Sequence, residues 1–416
     1  MDHDVSITVI AEEDSLDDMV KTFLKKYTAL SDRLSMEIID PVLHPSALEE
    51  YDTESDTVVV SCEDTGLSQT VNISDILVQD SYSYYYTGSS SASSFDGDGQ
   101  LTSAINKVLG QETSKAYYVS GHGESELPSS ITELMSKSGM EAAGLNLFMK
   151  GKVPDDCDVL IFNGPTSDIS TKERKAVDRY IKKGGSVVML MAEDTPAGGN
   201  LSELMNAYKI RLQSGYVADM QRSYQGRYYM IIPEDTDSGG ITGDLQTGTI
   251  LMNNSRAFVL GESSDEISVT SLMETSDGGY LVSGDSQKQG TYTVGASASY
   301  TVGQSSSSGS SDSSSSDSSS DDSSVKTGTL TVFGSSSLID ESLTGSFSNL
   351  DNKTMFMNVL SSAAGGDQDA VVEAKSLQVQ YNTVQHGGFI SVMIIFVIPV
   401  IFLVIGFTVW YRRRKV

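Results

Sequence analysis

Gly121-His122-Gly123-Glu124 is the stretch whose residue types and spacing could do chemistry. An imidazole and a carboxylate sit two positions apart, with a glycine on each side of the histidine. The residues before them, Ala116–Ser120, read as a strand. A turn there would carry His122 and Glu124 to the carboxyl edge of a sheet, where open α/β sheets hold their ligands. Three readings are open at this point: a turn fixed by glycine geometry, a binding or interface contact, and catalysis. A His-x-Glu pair supplies two ligands where a zinc site takes about four, so no metal is expected. Cys157 precedes a strand instead of following one and has no histidine near it in sequence, so it is expected to be a structural thiol. The turn after Ser186–Met191 reads Ala192-Glu193-Asp194-Thr195, without the cysteine that an amidotransferase of this architecture would carry there. Gly-x-x-x-x-Gly-Lys-Ser/Thr and Gly-x-Ser-x-Gly are both missing from the sequence, which excludes a P-loop ATPase and a serine-elbow hydrolase. No catalytic residue and no cofactor is expected.

The elements that would position this turn alternate in type. Val5–Ile10 alternates as a strand, and Ser15-x-x-Asp18 opens a helix with Leu16, Met19, Val20, Phe23, Tyr27 and Leu30 at helical spacing. Met36–Asp40 is the next strand, and Thr57–Cys62 with Gln69–Ile73 reads as a hairpin across Asp64-Thr65-Gly66. Tyr82, Tyr84, Tyr85 and Tyr86 fall in an expected exposed loop. A helix at Leu101–Leu109, the strand at Ala116–Ser120, a helix at Ser130–Ser138 and a strand at Val159–Phe162 follow. A further helix starts at Ser170 with Glu173 in capping-box spacing and stops at Gly184-Gly185. Ser186–Met191 is nearly continuous in apolar residues, as in a parallel strand covered on both faces. The pattern predicts an α/β fold, a doubly wound flavodoxin-like or glutamine-amidotransferase-like sheet without catalytic residues. A β-rich later part follows, with short runs from Tyr228 to Gly295, a strand at Thr329–Gly334 and a helix at Thr354–Leu360. Ser305–Ser324 holds fifteen Ser, four Asp and one Gly, and is expected to be a disordered insertion within a domain.

The divisions expected are an N-terminal α/β domain over 1–98 and a second α/β domain over 99–365 interrupted at 304–325. A stalk over 366–388, a transmembrane helix over 389–410 and a basic tail over 411–416 complete the chain. Phe389–Trp410 carries no charge in 22 residues, about 33 Å of helix against a bilayer core of about 30 Å. Arg412-Arg413-Arg414-Lys415 follows directly, which puts the tail in the cytoplasm and the body outside. Met1–Asp4 has no export signal, so the expectation is a longer chain with a membrane segment upstream. The 416 residues carry a formal charge of −28; without the four basic residues at the tail, 24 cations face 56 anions. A body of this charge repels phosphate, which excludes nucleic acid as a partner.

Val5–Glu12, Tyr117-Tyr118-Val119-Ser120-Gly121-His122-Gly123-Glu124, and Val153-Pro154 through Asp158–Pro165 resemble, in order and spacing, the extracytoplasmic auxiliary proteins of ABC transporters. That family includes the gliding-motility protein GldG. Asp178–Ile181 with Gly184-Gly185, the strand at Thr329–Gly334 and the closing helix extend the resemblance over most of residues 5–410. Gly334-Ser335-Ser336-Ser337 departs from it, standing where members tend to have an acidic turn. The resemblance implies a non-enzymatic accessory subunit at the cell membrane. Its partners would be an ABC permease and ATPase, with lipid contact through 389–410. The alternative is a cell-surface module for a glycan or small ligand, bound at the carboxyl edge of the sheet. His122 and Glu124 are the candidate ligand or interface residues under either reading.

Overall fold

The computed structural model describes residues 3–79, 92–110, 113–301, 327–345, 347, 349–365, 375–377, 395 and 397–414. The tyrosines at 82–86 and the serine tract at 305–324 lie outside the described residues.

The first unit begins with β1 (Val5–Ile10), α1 (Asp18–Thr28) and β2 (Leu34–Ile39), followed by the hairpin β3 (Thr57–Cys62) and β4 (Leu67–Asn72). These strands form one sheet in the order β2-β1-β3-β4, parallel at β1/β2 and antiparallel at β1/β3. Asp17 caps α1, accepting the Met19 N–H at 2.7 Å, so the cap falls two residues later than the expected Ser15. β5 (Leu77–Gln79), β6 (Ala92–Phe95) and α2 (Gly97–Val108) come next. Leu101, Ala104, Ile105 and Val108 recur at helical spacing on α2 and are buried in the same core as β1 and β3. This helix therefore belongs to the first unit, and the boundary expected at residue 98 moves to the end of α2.

The second unit is built from β7 (Ser114–Ser120), α3 (Ser129–Lys137), β8 (Met140–Asn146), β9 (Val159–Asn163), α4 (Thr171–Lys182) and β10 (Ser186–Leu190). Its β-rich part adds β11 (Tyr216–Asp219), β12 (Ile267–Glu274), β13 (Gly279–Ser283), β14 (Ser286–Gln289), β15 (Thr293–Thr301) and β16 (Thr327–Phe333). Five strands run parallel in the order β8-β7-β9-β10-β16, after which β15 and then β12 add antiparallel. Counted along the unit, the parallel order is 2-1-3-4-5, the flavodoxin-like winding. β9 and β10 are buried at every position, in keeping with sequences that are apolar except for Asn163 and Ser186. Thr301 and Thr327, which flank the serine tract, are direct partners across β15 and β16. In sequence that tract thus joins two antiparallel neighbours of one sheet. β8, β11 and β13 were not legible as strands, and α5 (Asn352–Ala363) is longer than the helix expected at 354–360.

Later parts of the chain also contact the first unit. Lys137 on α3 pairs with Asp96, which is 3% exposed and also accepts the Gln100 side chain at 2.9 Å. The stalk expected over 366–388 supplies a short strand, β17 (Lys375–Ser376), antiparallel to β6 of the first unit. The chain closes with α6 (Ile398–Arg414). Among the described residues no helix is long and apolar enough to cross a membrane. The span expected from Phe389 to Trp410 falls partly outside the described residues; within them α6 has 17 residues, about 26 Å at 1.5 Å each, and ends in three arginines. Residues 389–394 and 396 lie outside the described set.

Candidate functional site

In a 2-1-3-4-5 sheet the chain winds in opposite directions from β7 and β9, and the loops leaving their carboxyl ends border the crevice between them. Gly121-His122-Gly123-Glu124 is the first of these loops and Gly164-Pro165-Thr166-Ser167 the second. Gly121 and Gly123 have φ of 121° and 82°, which side-chain-bearing residues rarely adopt. A Cβ on Gly123 would also stand 2.0 Å from the Thr166 Oγ1. The glycines thus let the two loops touch. The His122 carbonyl accepts the N–H groups of Thr166 and Ser167 at 3.0 and 2.8 Å. Asn163, at the end of β9, donates its side-chain amide to the Ser125 and Glu126 carbonyls at 3.2 and 3.1 Å.

His122 and Glu124 stand where the strand pattern puts them, but their side chains face inward. His122 is 7% exposed. Its Nδ1 is 2.9 Å from Glu124 Oε1, and its backbone N–H donates to Glu124 Oε2 at 2.7 Å. Its Nε2 lies 3.0 Å from Oε1 of Glu173. This second contact is an ion pair by distance and lacks the alignment of a hydrogen bond, since Glu173 Oε1 has no hydrogen-bond partner. Sequence reading recognised Glu173 only as a helix cap, and it is one: Oε2 accepts the Ser170 N–H at 2.8 Å while Ser170 Oγ accepts the Glu173 N–H at 3.3 Å. The winding order was the missing signal, because it brings the start of α4 beside the turn after β7.

Two carboxylates around one buried imidazole favour the imidazolium. The hydrogen bond to Glu124 raises the His122 pKa most; burial opposes it, and the charges of both glutamates add to the rise. Burial pushes Glu124 up, but the ring and backbone hydrogen bonds from His122 outweigh it and leave the carboxyl below its ordinary range. The cluster is an ion triad whose members neutralise each other in part.

This arrangement restricts the chemistry. In a nucleophile–His–acid relay the acid holds Nδ1 and the nucleophile sits at Nε2. Here Glu124 holds Nδ1, but a second carboxylate occupies Nε2, so the imidazole has no hydroxyl or thiol to activate. Metal binding would require displacing one of these carboxylates from a ring nitrogen, and among the described residues no group of three or more His, Cys, Asp or Glu could hold a metal ion. Cys157 lies just before β9, at the opposite, amino edge of the sheet, and burial pushes its thiol up to about 11, far from a reactive thiolate. The serine turn after β16 is also engaged: Ser335 Oγ donates to the Asn253 carbonyl at 2.7 Å, and Ser337 Oγ accepts the Asn253 N–H at 2.8 Å.

No family model matches the sequence, and no curated protein matches it. Among solved structures the chain is similar to the mmIFT52 N-terminal domain, with 12% identity and a TM-score of 0.40 over 61% of this chain and 99% of that one. It is similar also to a ThuA-like protein from Bacteroides uniformis, with 12% identity and a TM-score of 0.29 over 44% of this chain and 76% of that one. A third likeness is to PurLQS from Thermotoga maritima, with 11% identity and a TM-score of 0.29 over 60% and 99%. The mixed α/β fold with its parallel sheet rests on the strand order of the chain itself.

Proposed function

We propose that this chain is a membrane-anchored, extracytoplasmic accessory subunit of an ABC transport system, working by contact and not by catalysis. The observation that carries this reading is the closed switch point. Where a doubly wound sheet would hold a ligand, the two loops are bonded to each other, and the ionisable groups, His122, Glu124 and Glu173, are committed to one another. A body arranged in this way is suited to present a surface. The GldG-like order of segments supplies the kind of partner, a permease with its ATPase.

The anchor in this reading is the apolar run from Phe389 to Trp410. α6 supports it through its surface: Ile401, Phe402, Leu403, Val404, Ile405 and Phe407 are each at least half exposed, on successive positions that circle the helix. A helix apolar around its circumference needs lipid or protein to cover it.

The test is chemical crosslinking in the membranes of the native host, followed by detergent extraction and identification of what comes with the chain. Recovery of an ABC ATPase and a permease at near-equal amounts is the expected result. Recovery of the chain by itself, or its release from membranes by alkaline carbonate, would overturn the proposal.

A further inference from the structure

The sheet formed by β11, β13 and β14 is separate from the main sheet, and its register sorts its residues onto two faces. Tyr216 pairs with Val282, Ala218 with Tyr280, and Val282 with Gln287. Residues two apart on a strand share a face, so these five side chains stand together, while the fully buried Val217 points the other way into the core. Tyr228 and Tyr229, from the following loop, close the outer face into a cavity of about 340 Å³ that Met220 also lines. Ala218 and Val282 form its floor, and four tyrosines form its walls.

The walls are held in place from beneath. Asp219, completely buried, accepts the N–H groups of Gln221 and Arg222 at 2.9 Å each, and the Ser276 hydroxyl and N–H at 2.8 and 2.9 Å. Burial pushes this carboxyl up, but the hydrogen bonds outweigh it and leave it below its usual range, so it remains an anion. The Asp219 N–H donates to the Tyr228 carbonyl at 2.8 Å, and the Asn254 N–H to the Tyr229 carbonyl at 3.0 Å, which fixes the loop against the sheet. Such support makes a site rigid before any ligand arrives. Among the described residues none of the four phenol rings packs on another aromatic ring, and none of the four hydroxyls has a protein partner.

The lining selects against three ligand classes. It carries no ionised side chain, and the −28 charge of the chain repels anions. None of the lining residues is a carboxylate that would pair with a cation. A wholly apolar molecule would strip water from four phenols and an amide without replacing the lost bonds. A pyranose meets each condition: its C–H faces stack on aromatic rings, and its equatorial hydroxyls bond to phenols and amides at the rim. We propose that the cavity walled by Tyr216, Tyr228, Tyr229 and Tyr280 is a binding site for a neutral pyranoside. This site stands apart from the transporter reading, which would survive its loss.

The experiment uses the full chain in a polyoxyethylene detergent, whose headgroup contains no sugar ring. Saturation-transfer NMR is recorded with methyl α-mannoside, methyl β-glucoside, cellobiose and chitobiose, and with choline chloride as the cationic competitor. The expected result is transfer to the ring C–H protons of at least one sugar, undisturbed by choline. Its affinity should fall about tenfold or more in Tyr280→Ala, and about two- to tenfold in Tyr280→Phe, which keeps the ring and removes one hydroxyl. Tyr228 is 48% exposed, so Tyr228→Ala should weaken binding with no change in melting temperature and separates loss of the site from loss of the fold. Absence of transfer with all four sugars, transfer that survives Tyr228→Ala and Tyr280→Ala, or displacement by choline would each overturn the assignment.

Discussion

At the switch point Glu124 and Glu173 lie 2.9 and 3.0 Å from the two ring nitrogens of an inward-facing His122; at the outer face of β11 and β13 four phenols face outward with no protein partner among the described residues. The first region contains the residue types that enzymes use, and the fold uses them to tie the turn after β7 to the start of α4. The second contains no histidine and no carboxylate, yet its polar groups are free. Side-chain chemistry therefore points to function only together with the bonds already made. A histidine between two glutamates is reactive in composition and engaged in geometry.

The contrast can be broken most directly by substitution. His122→Ala removes the central member of a buried ion triad and leaves Glu124 and Glu173 facing each other without a cation. Breaking a buried pair in this way costs about 3–5 kcal/mol, so denaturant unfolding should show a large fall in stability. Tyr228→Ala should leave it unchanged. Equal effects at the two sites, or no effect at His122, would break the comparison.

The pH dependence sharpens it. A raised folded-state pKa means that the His122 contribution is fully present below the ordinary value of 6.5 and is lost as pH rises through the raised one. Glu124 has the opposite sign: its contribution is present above the ordinary value of 4.5 and is lost as pH falls through its lowered value. Melting temperature should therefore peak between these limits and fall on both sides, and His122→Gln should flatten the alkaline limb.

The smallest effect belongs to the serine tract. Deleting Ser305–Ser324 leaves Val302-Gly303-Gln304 and Val325-Lys326 to link Thr301 to its partner Thr327, a hairpin loop of ordinary length. Calorimetry should show the melting temperature shifted by no more than roughly a few degrees.

Much of the winding was legible because its signals are local. The apolar run of β10 identified a covered parallel strand, Val159–Phe162 was legible as a strand, and Ser170 with Glu173 located the start of α4 to the residue. β8 escaped because Glu141, Ala142, Ala143 and Gly144 show neither alternation nor an apolar run; as an edge strand it buries only Met140 and Leu145. β11 and β13 escaped for a related reason, being short and half-exposed on the face that forms the cavity. At the switch point His122 and Glu124 could be read as a turn at the sheet edge. Glu173 could not, because its second role depends on β7 and β9 being neighbours, a contact between residues some fifty positions apart in sequence.

The central claim is that the His122 ring is buried between two carboxylates and ties the turn after β7 to the start of α4. With four histidines in the chain, selective ¹³C and ¹⁵N labelling gives a resolvable imidazole spectrum, and His122→Gln assigns its signals. The account predicts that the pKa of His122 lies above the ordinary 6.5 and that added zinc leaves its shifts unchanged. A pKa at or below 6.5, or a zinc-induced shift at one ring nitrogen, would contradict it.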